Sequence, residues 1–222
     1  MKPASSPIRA IIFDFDGLIL DTESAIFQSW RELYTDHGHE LTVETFSQCI
    51  GSDFGAHYDP MADLEKLTGK SFDWTAEDTR REERVRELLT EAGELPGVRS
   101  LLVEAAELDL PCSVASSSSH RWVNGWLEKL ELRHHFANLS TRDYVLRIKP
   151  APDLFLHAAE KLGVAPDEAV IFEDSLNGLR AAVAAGMRCI VAPGPMTRHL
   201  DFTGAWKQVE SLAQVSLADL MT

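Results

Sequence analysis

The sequence predicts an α/β chain, a doubly wound parallel sheet interrupted by a smaller helical insertion. Three observations carry this. Short runs rich in Ile, Val and Phe alternate with stretches of helical spacing. The runs are apolar almost throughout, as strands covered on both faces are. One long stretch, residues 22–92, has helical spacing and no strand-like run at all.

The strands are "IRAIIFDF" (8–15), "PCSVAS" (111–116), "EAVIFED" (168–174) and "RCIVAP" (188–193), each ending in polar or turn residues. Residues 98–108, 120–131, 152–162 and 176–185 space their apolar side chains as helices do. Pro152 suits a first helical turn, Ser175 suits the N-cap of the helix at 176, and Gly163 and Gly186 stand where glycines terminate helices. Strand and helix in alternation imply βαβ crossovers. In the strand-free stretch, "ESAIFQSWRELYTDHG", "DPMADLEKLTG" and "TAEDTRREERVRELLTEAG" are three amphipathic helices. The expected division is a core of residues 1–20 and 93–222, with a helical domain at 21–92 inserted after the first strand and hinged near 18–23 and 92–97. Trp30 and Trp126 fall at apolar helical positions and read as packing residues. The run "EDTRREERVRE" reads as a solvated face with i,i+4 pairs, from which Arg80, Arg81 or Arg84 is in reach of a cleft.

Composition narrows the function. The 222 residues are enough for one large core plus a small insertion, and 45% apolar with 25% charged residues is ordinary for a globular protein. A net charge of −14 argues against a nucleic-acid surface, which needs clustered Lys and Arg. Cys49, Cys112 and Cys189 lack any CxxC spacing and read as reduced thiols of a cytoplasmic protein. Asp14 and Asp16 cut the only apolar run near the N-terminus, so no signal peptide is expected, and no run approaches the ~18 residues of a membrane span. His37, His39, His57, His134, His135 and His199 show no ligand spacing.

In an open parallel sheet, ligands sit beyond the carboxyl ends of the strands. Those ends hold the unusual polar residues: Asp14 and Asp16 after the first run, Ser116 after the next, Glu173 and Asp174 after another, with Lys149 in the loop ahead of a helix. Carboxylates brought together there cannot all ionise unless a cation neutralises them, and a hard dication such as Mg²⁺ does so. Residues 14 and 16 project to one side of a strand, and a turn between them splays the two carboxylates.

"DFDGLILDTE", the serine of "SVASS", "KPAPD" and "IFEDSLNGLRAAVAAGM" together resemble the four motifs of the haloacid dehalogenase superfamily. Their order resembles its phosphatase and β-phosphoglucomutase branch, with a Rossmann-like core and a small helical cap after the first motif. The resemblance implies a catalytic set of Asp14, Asp16, Ser116 and Lys149. Asp14 is implied as the nucleophile that forms an aspartyl phosphate, and Asp16 as the acid that protonates the leaving alcohol and then the base that activates water. It implies Mg²⁺ held by Asp14, the Asp16 backbone carbonyl and Asp174, with Glu173 binding through water or orienting Asp174. It implies phosphoryl binding by Ser116, Ser117, Ser118, Lys149 and Gly17. The expected partner is a small phosphorylated metabolite, a sugar phosphate by preference, with no nucleic acid and no membrane; oligomeric state is left open, a monomer included.

Departures from the resemblance sort the alternatives. Where β-phosphoglucomutases carry a hinge histidine this chain has Ile26, and "IGSDFGAHYD" offers no counterpart to their cap arginine, so hydrolysis is preferred over a hexose-phosphate mutase. Asp16 argues against dehalogenases of the fold, which lack it. Phosphonate-cleaving relatives need a cap lysine, and Lys66 and Lys70 lie in no recognisable motif. His120 replaces a phosphate-side Asn, and Ile148 a Gly before the motif lysine. A phospho-accepting signalling domain or a non-catalytic interaction protein are the readings from another class, and the helical insertion counts against the first.

Overall fold

The computed structural model describes residues 6–50 and 58–221. Six strands, β1 Ala10–Phe13, β2 Cys112–Ala115, β3 Phe136–Ser140, β4 Ala169–Glu173, β5 Arg188–Val191 and β6 Lys207–Gln208, form one sheet in the order β3-β2-β1-β4-β5-β6. Every neighbouring pair is parallel. The chain starts in the middle of the sheet and winds outward on both sides of β1, so the carboxyl end of β1 is the switch point where a crevice opens.

Nine α-helices are described: α1 Thr22–Asp36, α2 Val43–Phe46, α3 Pro60–Thr68, α4 Trp74–Leu88, α5 Val98–Glu107, α6 His120–Lys129, α7 Asp153–Leu162, α8 Leu176–Ala184 and α9 Leu217–Leu220. Strand alternation sorts the core onto two faces. Ile11, Phe13, Val114, Phe172 and Ile190 pack with α5 and α6, whereas Ile12, Ala115, Ile171 and Val191 pack with α7 and α8. Each fully buried Ile, Val, Leu or Phe contributes about 1.5–3 kcal/mol on transfer from water, which is what holds the strand ends in register.

Between β1 and β2 lie α1 to α5, with no strand among the described residues there. The first three of these helices, with Trp74 of α4, gather a cluster of their own, in which Trp30 and Tyr34 of α1 are fully buried against Phe46, Leu64 and Met196. Tyr34 Oη is satisfied by Tyr58 Oη at 2.9 Å and Pro60 O at 2.8 Å, so this buried hydroxyl fixes α1 against the start of α3. Asp21 caps α1, accepting from the Ser24 N–H at 3.1 Å. Among the described residues no helix is long and apolar enough to cross a membrane.

The four strands expected from sequence are present, and so are the helices. Two strands were not expected. β3 reads "FANLS", with Asn138 and Ser140 breaking the apolar run, and β6 is a two-residue exposed edge. Pro152 stands one position earlier than expected, as the N-cap of α7 rather than inside its first turn. Ser175 caps α8 through its hydroxyl, which accepts from the Gly178 N–H at 3.0 Å. Gly163 takes the left-handed conformation at the end of α7, and Gly186 follows the C-cap of α8 at φ +72°.

Candidate active site

The switch point gathers the polar strand ends. Asp14 follows β1 directly, and its N–H still donates to Phe172 O at 2.9 Å, so the residue stays anchored to β4. Glu173 closes β4 and Asp174 follows it. Lys149, 2% exposed, reaches across from the loop before α7; its ammonium contacts Asp14 Oδ1 and donates to Glu173 Oε1 at 2.6 Å.

Glu173 is fully buried and saturated. Oε2 accepts from the N–H groups of Asp174 and Ser175, both at 2.8 Å, and from Ser175 Oγ at 3.0 Å. Gly178 is required beside it, because a Cβ there would overlap the Glu173 carboxylate. Asp174 is the opposite case: its Oδ1 is buried and has no hydrogen-bond partner among the described residues.

Carboxylate oxygens of Asp14, Glu173 and Asp174 lie within 4.8 Å of one another. Burial, opposed by the Lys149 ammonium and reinforced by Glu173 and Asp16, pushes the Asp14 carboxyl up to about 8. Burial, with Glu173, Asp14 and Glu23, raises Asp174 well above the carboxylate range. Burial works to lower Lys149, but the Asp14 and Glu173 charges outweigh it and hold the ammonium above its usual range. Three carboxylates face one ammonium, and the orphaned Asp174 oxygen is the open position. An oxygen-only donor set with excess negative charge fits a hard dication. The residues free to hold it are Asp14 and Asp174, whereas both oxygens of Glu173 are already engaged by donors.

Asp16 is splayed away by a turn at Gly17, whose φ of +82° and close approach to Asp174 exclude a side chain. Four donors hold its carboxylate. Thr22 Oγ1 and Trp122 Nε1 each donate to Oδ1 at 2.9 Å, while Ser118 Oγ at 2.7 Å and Ser116 Oγ at 3.1 Å donate to Oδ2. Ser116 follows β2 and accepts from the Ser118 N–H at 2.9 Å. Ser117 Oγ is buried without a partner among the described residues.

These groups open into a cavity of about 490 Å³, whose floor includes Asp14, Lys149 and Asp174 and whose far wall is built from α1 and α4. Gly17, Ser116 and Glu173 do not line it directly, but Ser117 and Ser118 do. Of the three arginines in reach of a cleft, Arg81 lines the cavity, its guanidinium 3.5 Å over the Trp30 ring and paired with Asp78. Arg80 pairs with Glu77, and Arg84 with Glu32, both outside the cavity. Ile26 lines it, whereas the exposed Lys66 and Lys70 do not. His120 opens α6 and packs edge-on against Tyr144 at 5.9 Å. Residues 51–57 of "IGSDFGAHYD", His57 included, lie outside the described residues.

Glu23, Trp122 and Arg142 are among the cavity residues that escaped the sequence reading. Glu23 lines the wall, and burial together with Asp16 and Asp14 pushes its carboxyl up to about 8; its signal was present, as the last letter of "DTE". Trp122 carried none, since it packs edge-on with Trp126 at 5.7 Å and so resembles any apolar helix position. Arg142, whose Nε donates to Ser117 O at 2.7 Å, follows the unexpected β3.

Residues 11–192 match the model of the haloacid dehalogenase-like hydrolase family. The chain belongs to that family. It is 39% identical to the YhcW protein of Bacillus subtilis (strain 168) over 214 residues, covering 96% of each chain. It is 34% identical to the fructose-1-phosphate phosphatase YqaB of Escherichia coli (strain K12), over 81% of this chain and 94% of the relative. The crystal structure of a CbbY variant from Rhodobacter sphaeroides in complex with xylulose-1,5-bisphosphate superposes with a TM-score of 0.80 at 30% identity, covering 97% of this chain and all of that one. Within the haloacid dehalogenase-like hydrolases the protein is an enzyme of the phosphatase, β-phosphoglucomutase-like branch.

Proposed function

We propose that the protein hydrolyses a small phosphorylated carbohydrate through an aspartyl-phosphate on Asp14, with Mg²⁺ as cofactor. One observation carries this: Asp14, at the end of the central strand, touches the Lys149 ammonium and stands beside the carboxylate of Asp174, whose buried Oδ1 has no hydrogen-bond partner among the described residues.

Asp14 and Asp174 would hold the Mg²⁺, with the Asp16 backbone carbonyl as a third protein ligand and Glu173 orienting Asp174. When bound, the ion supplies positive charge that neutralises the carboxylates and the phosphoryl oxygens. Asp14 is the nucleophile, and the Lys149 ammonium opposes the burial that favours its protonated form and offsets charge on the phosphoryl group. Ser116, Ser117 and Ser118 supply hydroxyl donors to the phosphoryl oxygens, and the buried Ser117 Oγ, without a partner among the described residues, is the readiest of them. Asp16 protonates the leaving alcohol and then takes a proton from the water that cleaves the acyl phosphate. Gly17 lets the chain turn between the two aspartates.

The inserted helices, residues 21–92, act as a cap whose α1 and α4 form the roof of the cavity and exclude water from the first step. Hydrolysis is favoured over mutase chemistry because Ile26, at the roof, has no proton to exchange. The substrate class draws support from YqaB, named for fructose 1-phosphate, and from the sugar bisphosphate bound to CbbY. Two buried free thiols, Cys112 and Cys189, fit a reducing, cytoplasmic setting.

A panel of sugar and hexitol monophosphates, assayed for phosphate release with Mg²⁺ and with a chelator, tests the proposal beside Asp14→Asn. Release that needs both Mg²⁺ and Asp14 is expected. Undiminished release by Asp14→Asn would remove the mechanism, and interconversion of hexose 1- and 6-phosphates without free phosphate would replace it by a mutase.

A further inference from the structure

The Asp16 carboxylate has two differently held oxygens. Oδ2 is bound by Ser116 and Ser118, the hydroxyls that a phosphoryl group would claim. Oδ1 is bound by Thr22 Oγ1 and Trp122 Nε1, both at 2.9 Å, and neither donor belongs to the phosphoryl loop. Thr22 is fully buried at the start of α1, and Trp122 lies in the first turn of α6, so the two anchors come from two separate helices. An indole N–H only donates, and it sits on a rigid ring with two side-chain torsions, so it fixes an oxygen better than a rotatable hydroxyl does.

We propose that Trp122 is a positioning residue for proton transfer by Asp16, holding Oδ1 so that Oδ2 is the atom that exchanges protons with the leaving group. The inference rests on Asp16 acting as the acid. When the phosphoryl group takes the Ser116 and Ser118 hydroxyls, Oδ2 loses its partners while Oδ1 keeps both of its own. The O–P bond to the leaving alcohol breaks as the Asp14–phosphorus bond forms, and the proton on Oδ2 passes to the departing oxygen. In the second step Oδ2 takes a proton from water as the water oxygen bonds phosphorus and Asp14 departs as carboxylate. Oδ1 stays pinned throughout. Without the indole N–H the carboxyl swivels about the single Thr22 bond, and the acid points poorly at the oxygen it must protonate.

The test compares single-turnover phenol release from 4-nitrophenyl phosphate, whose leaving group needs no proton, with release from phenyl phosphate, whose leaving group does. Trp122→Phe keeps the ring and deletes the donor. The phenyl to 4-nitrophenyl rate ratio is expected to fall about tenfold, a fraction of the roughly 10²–10⁴-fold that general acid catalysis supplies. Trp122→His, which restores a ring N–H, is expected to recover part of that ratio. Asp16→Asn is expected to lower it further than either. Equal slowing of both substrates by Trp122→Phe, or no recovery in Trp122→His, would show a packing role and overturn the inference while leaving Asp16 as the acid. An unchanged ratio in Asp16→Asn would overturn the acid assignment itself, and the Trp122 role with it.

Discussion

Floor and roof of the same cavity are built on opposite terms. On the floor, Asp14, Lys149, Glu173 and Asp174 are 6%, 2%, 0% and 2% exposed, and they hang from the ends of two adjacent strands and one loop. The Lys149 ammonium ties Asp14 Oδ1 to Glu173 Oε1, whereas the buried Asp174 Oδ1 has no hydrogen-bond partner among the described residues. Across the cavity, Asp78, Arg81 and Glu82 come from α4, a helix whose described ion pairs are mostly i,i+3 and i,i+4 pairs on its own surface. The floor is pre-organised for one reaction, because strand ends fixed by a two-sided core cannot shift without disturbing that core. The roof is a helix face, where side chains can be exchanged without touching the chemistry, which is where a family of one mechanism would vary its substrates.

The contrast breaks most visibly at Asp14, the proposed nucleophile. Asp14→Asn is expected to cut turnover by at least about 10³-fold, close to 4 kcal/mol on the barrier at roughly 1.36 kcal/mol per decade, with substrate binding little changed. Comparable activity would mean that the floor is scenery.

Titration of the floor gives the next effect. Burial raises the folded-state Asp14 carboxyl to about 8, above its unfolded value of 3.8. The stability this confers is fully present below the unfolded value and is lost as pH rises through about 8, because the folded state binds more protons across that window. Thermal unfolding in chelator is therefore expected to show stability falling from about pH 4 to 8, with a shallower fall in Asp14→Asn. Added Mg²⁺ is expected to stabilise more at pH 8 than at pH 5, since it replaces protons there. A Mg²⁺ effect that is larger at pH 5 would contradict the carboxylate cluster.

Smaller again is the cost of crowding. Gly178→Ala drives a Cβ into the Glu173 carboxylate and is expected to destabilise by about 1–3 kcal/mol in denaturant unfolding, with Lys149 displaced along with Glu173. At the roof, Arg81→Ala is expected to raise KM about tenfold with kcat within a few-fold, the pattern of binding lost equally from ground and transition states. If Arg81→Ala instead lowered kcat as Asp14→Asn does, floor and roof would not divide as described.

Much of this was legible beforehand, and the reasons are physical. Strands buried on both faces must be apolar runs, so β1, β2, β4 and β5 announce themselves, and the carboxyl ends of such strands are where polar residues are otherwise hard to explain. Asp14, Lys149, Glu173 and Asp174 meet because β1 and β4 are neighbours, and short motifs at strand ends carry that adjacency. Edge strands leave weaker traces: β3 tolerates Asn138 and Ser140 since one side of it faces no further strand, and Arg142 was missed with it. Trp122 was invisible for another reason. Its ring packs like any apolar helix residue, and only the position of one nitrogen, fixed by the third dimension, connects it to Asp16 106 residues away.

The proposed reaction has Asp14 accept a phosphoryl group on a floor completed by a divalent ion. The direct measurement is acid-quenched single turnover with a phosphomonoester, followed by peptide mass mapping. A phosphorylated peptide carrying Asp14 is expected when Mg²⁺ is present and not in chelator. Full phosphate release within the same turnover, with no phosphorylated Asp14 at any quench time, would contradict the account.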